Sequence, residues 1–333
     1  MIMRSSILAC LLITILASCG SPEVSEVEVE APAQPASKKI PVILDTDIGT
    51  DIDDTWALAL LLSLPELDLK LVVSDHGDTV MRARIAAKLL EAAGRTDVAV
   101  GVGKKLSDAF VPQSSWVDDY TLEQYPGTVH EDGIGAMIDL IMNSEEPVTL
   151  IPIGPVPNIK EALEREPRIA EKARIVSMSG SVDEGYGEGS EPDPEYNVKE
   201  DALATRAMYE APWDVLIAPL DTAGRVQLKG ADYQKILQSQ KPVIKALIEN
   251  YRIWAQNIDW TQADPDTASS TLFDALAVTL VTSPEFCVIE EVQIEVTDDG
   301  FTRREEGGKT IRAALGWNDK AGFETWLADQ LTK

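Results

Sequence analysis

The sequence predicts an α/β fold, a mostly parallel open sheet flanked by helices around a Rossmann-like core. Short apolar runs alternate with helical stretches along most of the chain, which is the pattern of parallel crossover units. The first run, Val42 to Leu44, ends in a loop with five aspartates, Asp45, Asp47, Asp51, Asp53 and Asp54, which opens into the apolar helical stretch Trp56 to Leu64. Loops at strand carboxyl ends are where open α/β sheets bind ligands. The length, 333 residues with 44% hydrophobic composition, suffices for a large core.

The remaining elements follow in order. Leu67 to Ser74 reads as a second strand, followed by Asp75-His76-Gly77-Asp78 and a helix from Val80 to Ala93; Val98 to Val102 is a third strand. The stretch from Gly103 to Gly133, with Trp116, Tyr120 and Tyr125, has few periodic signals. A loop of that length is usually functional or disordered, and two readings stay open: a cover over the site or a solvated excursion. Val148 to Ile153, Arg174 to Met178 and Val215 to Pro219 are further strands, with a helix from Asp201 to Glu210. Thr271 to Val278 opens a helix with an acid in its first turn, and past Glu290 a β-rich edge leads to a terminal helix from Lys320 to Leu331.

The amino terminus has its own signals. Arg4 precedes an apolar stretch, Ile7 to Leu16, too short to span a bilayer as a mature helix. Leu16-Ala17-Ser18-Cys19-Gly20 resembles a bacterial lipoprotein cleavage box, although a plain secretory leader would also use Ala17. The expectation is a signal peptide at 1–18, lipidation of Cys19, an acidic, Pro-rich flexible tether at 19–39 and one domain at 40–333. That locates the protein in the cell envelope, periplasmic or on the outer surface, held to the membrane through its lipid alone. With Cys10 discarded and Cys19 acylated, Cys287 is left without an internal disulfide partner. The net charge is −27, and −28 without the leader, whose only charged residue is Arg4. This field disfavours nucleic acid and anionic headgroups as partners.

Five like charges in one short loop repel unless something positive sits among them, and hard oxygen ligands suit Ca²⁺ or Mg²⁺ far better than Zn²⁺. A helix-loop-helix calcium site fails on spacing: counted from Asp45, the twelfth position is Trp56 rather than a Glu. A solvated acidic turn with Asp53 or Asp54 capping the next helix is the bland alternative.

The string Asp45-Thr46-Asp47-Ile48-Gly49-Thr50-Asp51-Ile52-Asp53-Asp54 resembles the amino-terminal signature of the nucleoside hydrolase family, Asp-x-Asp-Pro-Gly-x-Asp-Asp, with Ile48 for the proline and two extra residues. Further segments resemble family motifs in family order. His130-Glu131-Asp132-Gly133, Gly154-Pro155-Val156-Pro157-Asn158, Met178-Ser179-Gly180, Glu195-Tyr196-Asn197-Val198 and Leu220-Asp221-Thr222 are followed by Phe273-Asp274-Ala275-Leu276-Ala277-Val278. The resemblance implies a nucleoside hydrolase-like fold and Ca²⁺-dependent hydrolysis of the N-glycosidic bond of a ribonucleoside or related N-riboside. It implies Asp47, Asp54, Asp274 and the Ile153 carbonyl as metal ligands and Asp47 as the base. Asp53, Glu195, Asn197 and, less directly, Asp78 fall at the sugar, with His130 near the pocket.

Phe273 stands where many members carry a histidine that protonates the leaving base. A phenyl ring can stack but cannot donate a proton, and His76, His130, Tyr186 and Tyr196 remain as donors to choose among. Two other functions stay open: a ribose- or nucleoside-binding lipoprotein without turnover, and a hydrolase of another glycoside whose pocket the 103 to 133 loop shapes. The number of subunits is also open, a homo-oligomer being one expected form.

Overall fold

The computed structural model describes residues 38–261 and 264–333. The expected signal peptide, Cys19 and the tether as far as residue 37 lie outside the described residues.

The first half of the chain runs β1 (Ile40–Thr46), α1 (Asp53–Ser63), β2 (Leu67–Ser74), α2 (Thr79–Ala92), β3 (Ala99–Val102), β4 (Val129–His130), α3 (Gly133–Asn143), β5 (Val148–Pro152), α4 (Pro157–Arg165) and β6 (Ala173–Met178). The second half continues with α5 (Tyr196–Glu200), α6 (Ala202–Glu210), β7 (Val215–Ala218), α7 (Leu220–Ala223), α8 (Gly230–Gln238), α9 (Pro242–Asn257), α10 (Phe273–Leu280), β8 (Cys287–Val296), β9 (Thr302–Arg304), β10 (Lys309–Trp317) and α11 (Lys320–Thr332).

The strands form one sheet in the order β4-β3-β2-β1-β5-β6-β7-β10-β8-β9. Every pair from β4 to β10 is parallel; β10 with β8 and β8 with β9 are antiparallel. The chain builds outward from β1 in one direction to β4, then returns to lay β5 on the other side of β1. The two crossovers leave in opposite directions there, so a crevice opens beyond the carboxyl ends of β1 and β5, the switch point where such sheets hold ligands.

Alternation along β1 feeds two cores. Val42 and Leu44 pack into one and Ile43 into the other, all fully buried. A strand covered on both faces reads as a continuous apolar run, which is how 42–44 appears in the sequence. Helix α1 is apolar on all sides, and Trp56 to Leu61 are each at most 2% exposed. Such a helix has no solvent face and must run through the interior. Each fully buried large side chain contributes roughly 1.5–3 kcal/mol. That burial anchors the acidic amino terminus of α1, where the helix dipole favours negative charge.

Gly103 to Gly133 is more ordered than its composition suggests. It contains two 3₁₀ turns, Ser114–Val117 and Leu122–Gln124, and the edge strand β4, with Val111, Trp116, Val117 and Tyr125 buried in the core. It therefore packs against the body of the domain, and in that part it is neither a solvated excursion nor a lining of the cavity described below. Helix α9 carries no strand or turn signal but spaces Ile244, Leu247, Ile248, Tyr251 and Trp254 at helical intervals on its buried face. No described helix is long and apolar enough to cross a membrane.

Candidate active site

A cavity of about 690 Å³ opens at the switch point, within the range of small-ligand sites. Eight of the residues expected at the site line it: Asp47, Asp53, Asp54, Ile153, Glu195, Asn197, Phe273 and Asp274.

The acidic loop is held from below by groups that no local pattern reveals. The Arg82 guanidinium, on α2 and almost fully buried, donates to the Asp47 carbonyl, to the Ile48 carbonyl at 3.2 Å and to the His76 carbonyl at 2.7 Å. Gln113 donates through Nε2 to the Asp51 carbonyl at 2.6 Å, and its Oε1 accepts from Thr55 Oγ1 and Asn250 Nδ2. Trp254 Nε1 donates to the Thr50 carbonyl at 3.0 Å. Gly49 takes a left-handed φ of +115°, which a side chain would strain. At Gly154 a Cβ would meet Asp47 at 3.0–3.1 Å, so glycine lets the loop after β5 lie against Asp47.

At the start of α1, Asp53 and Asp54 meet Asp274 from the first turn of α10, with one carboxylate oxygen from each lying within 4.8 Å of the others. All three are buried. Thr46 Oγ1 donates to Asp54, and the Asp274 N–H donates to Asp53 Oδ2 at 3.3 Å. Burial, compounded by the charges of neighbouring aspartates, Asp47 among them, holds all three well above the usual carboxylate range. Burial likewise pushes Asp51 up to about 6. Repulsion of this kind marks a place for a cation, and the three aspartates form a group that could hold a metal ion. Membership of this tight group differs from the expected ligand set in one respect. Asp53, expected at the sugar, belongs to it, because consecutive residues opening α1 both reach the mouth of α10; Asp47 lines the cavity outside the 4.8 Å group.

The Ile153 carbonyl, expected to face a metal, accepts from Asn197 Nδ2 at 3.2 Å, and Asn197 also donates to the Met178 carbonyl at 3.2 Å. Glu195 caps α5: its carboxylate accepts from the N–H groups of Gly180 at 3.0 Å, Asn197 at 2.8 Å and Val198 at 3.3 Å. Burial outweighs these bonds and pushes Glu195 up to about 7. Three of about four acceptor positions are thus committed to the backbone, so Glu195 meets a ligand with little to spare. Asp221 ties down the neighbouring loop, accepting from the N–H groups of Val182, Asp183 and Glu184.

Two expected residues lie elsewhere. Asp78 is the N-cap of α2, its carboxylate accepting from Met81 N at 3.1 Å, and it does not line the cavity. The requirement of α2 for a cap directs that side chain down the helix rather than toward the sugar position. His130 pairs with Gly101 in edge strand β4 and lines a different cleft with Glu131, Asp132 and Asp139. Three strand spacings, about 14 Å, separate β4 from β1. His76 also lies off the cavity, its Nε2 3.7 Å from Glu200.

Tyr186, Tyr196, Trp254 and Trp260 add aromatic rings to the wall, among polar and aliphatic side chains. Phe273 packs edge-to-face with Tyr186, ring centroids 6.2 Å apart, and Trp260 meets the buried Trp254 at 6.2 Å. A wall that offers both carboxylates and rings suits a molecule with a hydroxylated part and a flat apolar part.

Carboxylates and rings gathered at the switch point of a parallel α/β sheet make a small-molecule site, and the relatives of the chain give its class. The family model for inosine-uridine preferring nucleoside hydrolases matches residues 42–325, and the chain belongs to that family. Among its relatives, the pyrimidine-specific ribonucleoside hydrolase of Enterobacter sp. (strain 638) is 30% identical over 63% of this chain and 69% of its own. The non-specific ribonucleoside hydrolase of Klebsiella pneumoniae is 27% identical over 87% of this chain and 98% of its own. A plant nucleoside hydrolase superposes with a TM-score of 0.74 at 20% identity, covering 88% of this chain and 99% of that one. A purine-preferring ribonucleoside hydrolase from Gardnerella vaginalis does so at 0.68 and 21%, with the same coverage. At these identities, the superpositions speak for the fold alone.

Proposed function

We propose that this protein hydrolyses the N-glycosidic bond of ribonucleosides, giving ribose and free base, with Ca²⁺ held among its cavity carboxylates. The observation that carries this reading is the meeting of Asp53, Asp54 and Asp274 inside a cavity that Asp47 also lines. Buried, mutually repelling carboxylates offer only hard oxygens, which fits calcium. Asp54 and Asp274 would hold it, with Asp47, Asp53 and the Ile153 carbonyl supplying the other protein oxygens. When bound, the cation supplies Lewis acidity toward a water and an anchor for the vicinal hydroxyls of the sugar.

The residues of the chain do the rest. Asp47 takes the proton of the attacking water, and its carbonyl, gripped by Arg82, fixes where that carboxylate stands. The acidic wall stabilises the positive charge that spreads over the sugar as its bond to the base breaks. Asp53, Glu195 and Asn197 hydrogen-bond the ribose hydroxyls, while Phe273 and Tyr186 flank the base. No Lys, Arg or His lines the cavity among the described residues, so a 5′-phosphate would meet only like charge.

A panel of ribonucleosides assayed for free ribose tests the reading. Release that disappears in Asp47→Asn supports it. The binding-only alternative draws on the same absence of a histidine from the cavity, and calorimetric binding without release would favour it. The case for another glycoside rested on the 103 to 133 loop, none of which lines the cavity.

Attachment to the cell envelope through lipidated Cys19 is part of the same proposal, resting on the sequence of the leader. Cys19→Ser should release the protein from the membrane fraction; retention would refute the anchor. Light scattering of the mature domain would settle whether it forms a homo-oligomer.

A further inference from the structure

We propose that the Tyr186 hydroxyl is the group that donates to the departing base. This rests on the hydrolase reading, and it supplies a component that reading lacks. The bond between C1′ and the base nitrogen breaks with its electron pair staying on the base, and a base leaving as a bare anion is a poor leaving group. Something on the base side of the cavity must meet that charge with a proton.

The cavity limits the choice. Among the described residues, no His, Lys, Arg or Cys lines it, and tyrosine supplies its only ionisable donors apart from the carboxylates. There are two, Tyr186 and Tyr196. Tyr196 opens α5, and the Tyr186 hydroxyl reaches the same helix terminus, so what tells the two apart is where their rings pack. Tyr186 stands edge-on to Phe273, and Phe273 directly precedes Asp274 of the acid group. A base joined to a sugar gripped by that group therefore falls beside these two rings.

The hydroxyl is also in the right hydrogen-bonding state. Its oxygen accepts the Tyr196 N–H at 2.9 Å, and it donates to no protein group among the described residues, so its proton is free for a ligand. The accepted N–H stabilises the negative charge left on the oxygen as the proton departs.

Tyr186 sits in a segment held from both sides. Its own N–H donates to Asp193 at 3.1 Å, and the Arg225 guanidinium donates to the carbonyls of Gly185 at 3.1 Å, Tyr186 at 3.3 Å and Gly187 at 3.0 Å while pairing with Glu184 at 2.7 Å. A loop so fixed can present a donor without ordering it anew on each turnover.

The step balances. Water oxygen bonds to C1′ and gives a proton to Asp47; the C1′–N electron pair goes to the base, which takes the phenol proton. Asp47 then releases its proton to solvent, and solvent reprotonates the phenolate.

The test compares two leaving groups on one sugar. Inosine and uridine leave with a base that needs a proton, whereas 4-nitrophenyl riboside leaves as a stable phenolate that does not. Tyr186→Phe keeps the ring against Phe273 and removes only the hydroxyl. The kcat/KM ratio of nucleoside to nitrophenyl riboside should fall by about 100-fold or more in this variant. An unchanged ratio overturns the proposal, whether both rates hold or both fall together as a merely structural defect would make them. Wild-type protein inactive on both substrates overturns the hydrolase reading, and this proposal with it; an active wild type whose ratio survives the substitution overturns this proposal alone.

Discussion

Asp53 and Asp274, 221 positions apart in the chain, are joined by a hydrogen bond from the Asp274 N–H to Asp53 Oδ2 at 3.3 Å. The amino termini of two packed helices are thereby set face to face. Both helix dipoles point their positive ends at the same few carboxylates, which offsets part of the repulsion among them. A divalent cation would offset the remainder.

Metal should therefore stabilise the fold. Ca²⁺ at about a hundred times its Kd adds roughly 2.7 kcal/mol, which in a domain of this size raises Tm by several degrees. Differential scanning fluorimetry of the purified protein with calcium and with chelator measures it. Asp274→Asn should remove the shift, and identical melting of wild-type protein in both conditions would count against a metal site.

Loss of the base should strike turnover more than binding. Asp47→Asn is expected to lower kcat by about 10²- to 10⁴-fold, with calorimetric affinity for a nucleoside changed far less. Steady-state ribose release reads this directly. A variant that keeps wild-type kcat would remove Asp47 from the role.

Arg82 should matter for stability although it does not line the acidic cavity. Arg82→Leu strips donors from the carbonyls of Asp47, Ile48 and His76 and removes a cation beside Asp54 and Asp75. A buried acceptor left unpaired costs about 1–3 kcal/mol, so a Tm fall of roughly 5–10 °C is expected. Lysine at this position, lacking the fork that reaches several carbonyls, should recover only part of it. An unchanged Tm would show that the loop stands without this support.

The metal-free protein should lose stability as pH rises. Glu195 ionises at about 7 in the fold against an ordinary 4.5, and Asp45 at about 7 against 3.8. Between those values, the folded chain keeps protons that the unfolded chain has lost, so the stability they confer is full at low pH and disappears as pH approaches 7. Melting in chelator from pH 4.5 to 8 should show a falling Tm, with calcium flattening the decline. A rising Tm over that range would contradict the protonation states assigned to these carboxyls.

Much of the site is legible along the chain because its parts are local. A strand buried on both faces leaves a continuous apolar run, acids crowd into the loop that follows, and each later motif falls beside a strand end. Assigning those motifs to a family fixes which strand ends belong together. What stays hidden is what lies across the fold. Gln113 and Arg82, which hold the acidic loop from below, look in sequence like one glutamine in an irregular stretch and one arginine on an amphipathic helix.

Errors of position have the same origin. His130 and Asp78 both sit in motifs that resemble the family, yet one is carried to the far edge of the sheet by strand order and the other is taken by the cap of its own helix. The sequence by itself determined the fold class, the family and the acidic loop after β1, because periodicity and short-range motifs report which residues share a strand, a helix face or a turn. Only the tertiary structure decided that Asp53 joins Asp54 and Asp274, that Glu195 spends most of its acceptors on the backbone, and that neither His76 nor His130 lines the cavity. Those outcomes depend on which crossover lays which strand beside β1, a choice made by packing over more than two hundred residues.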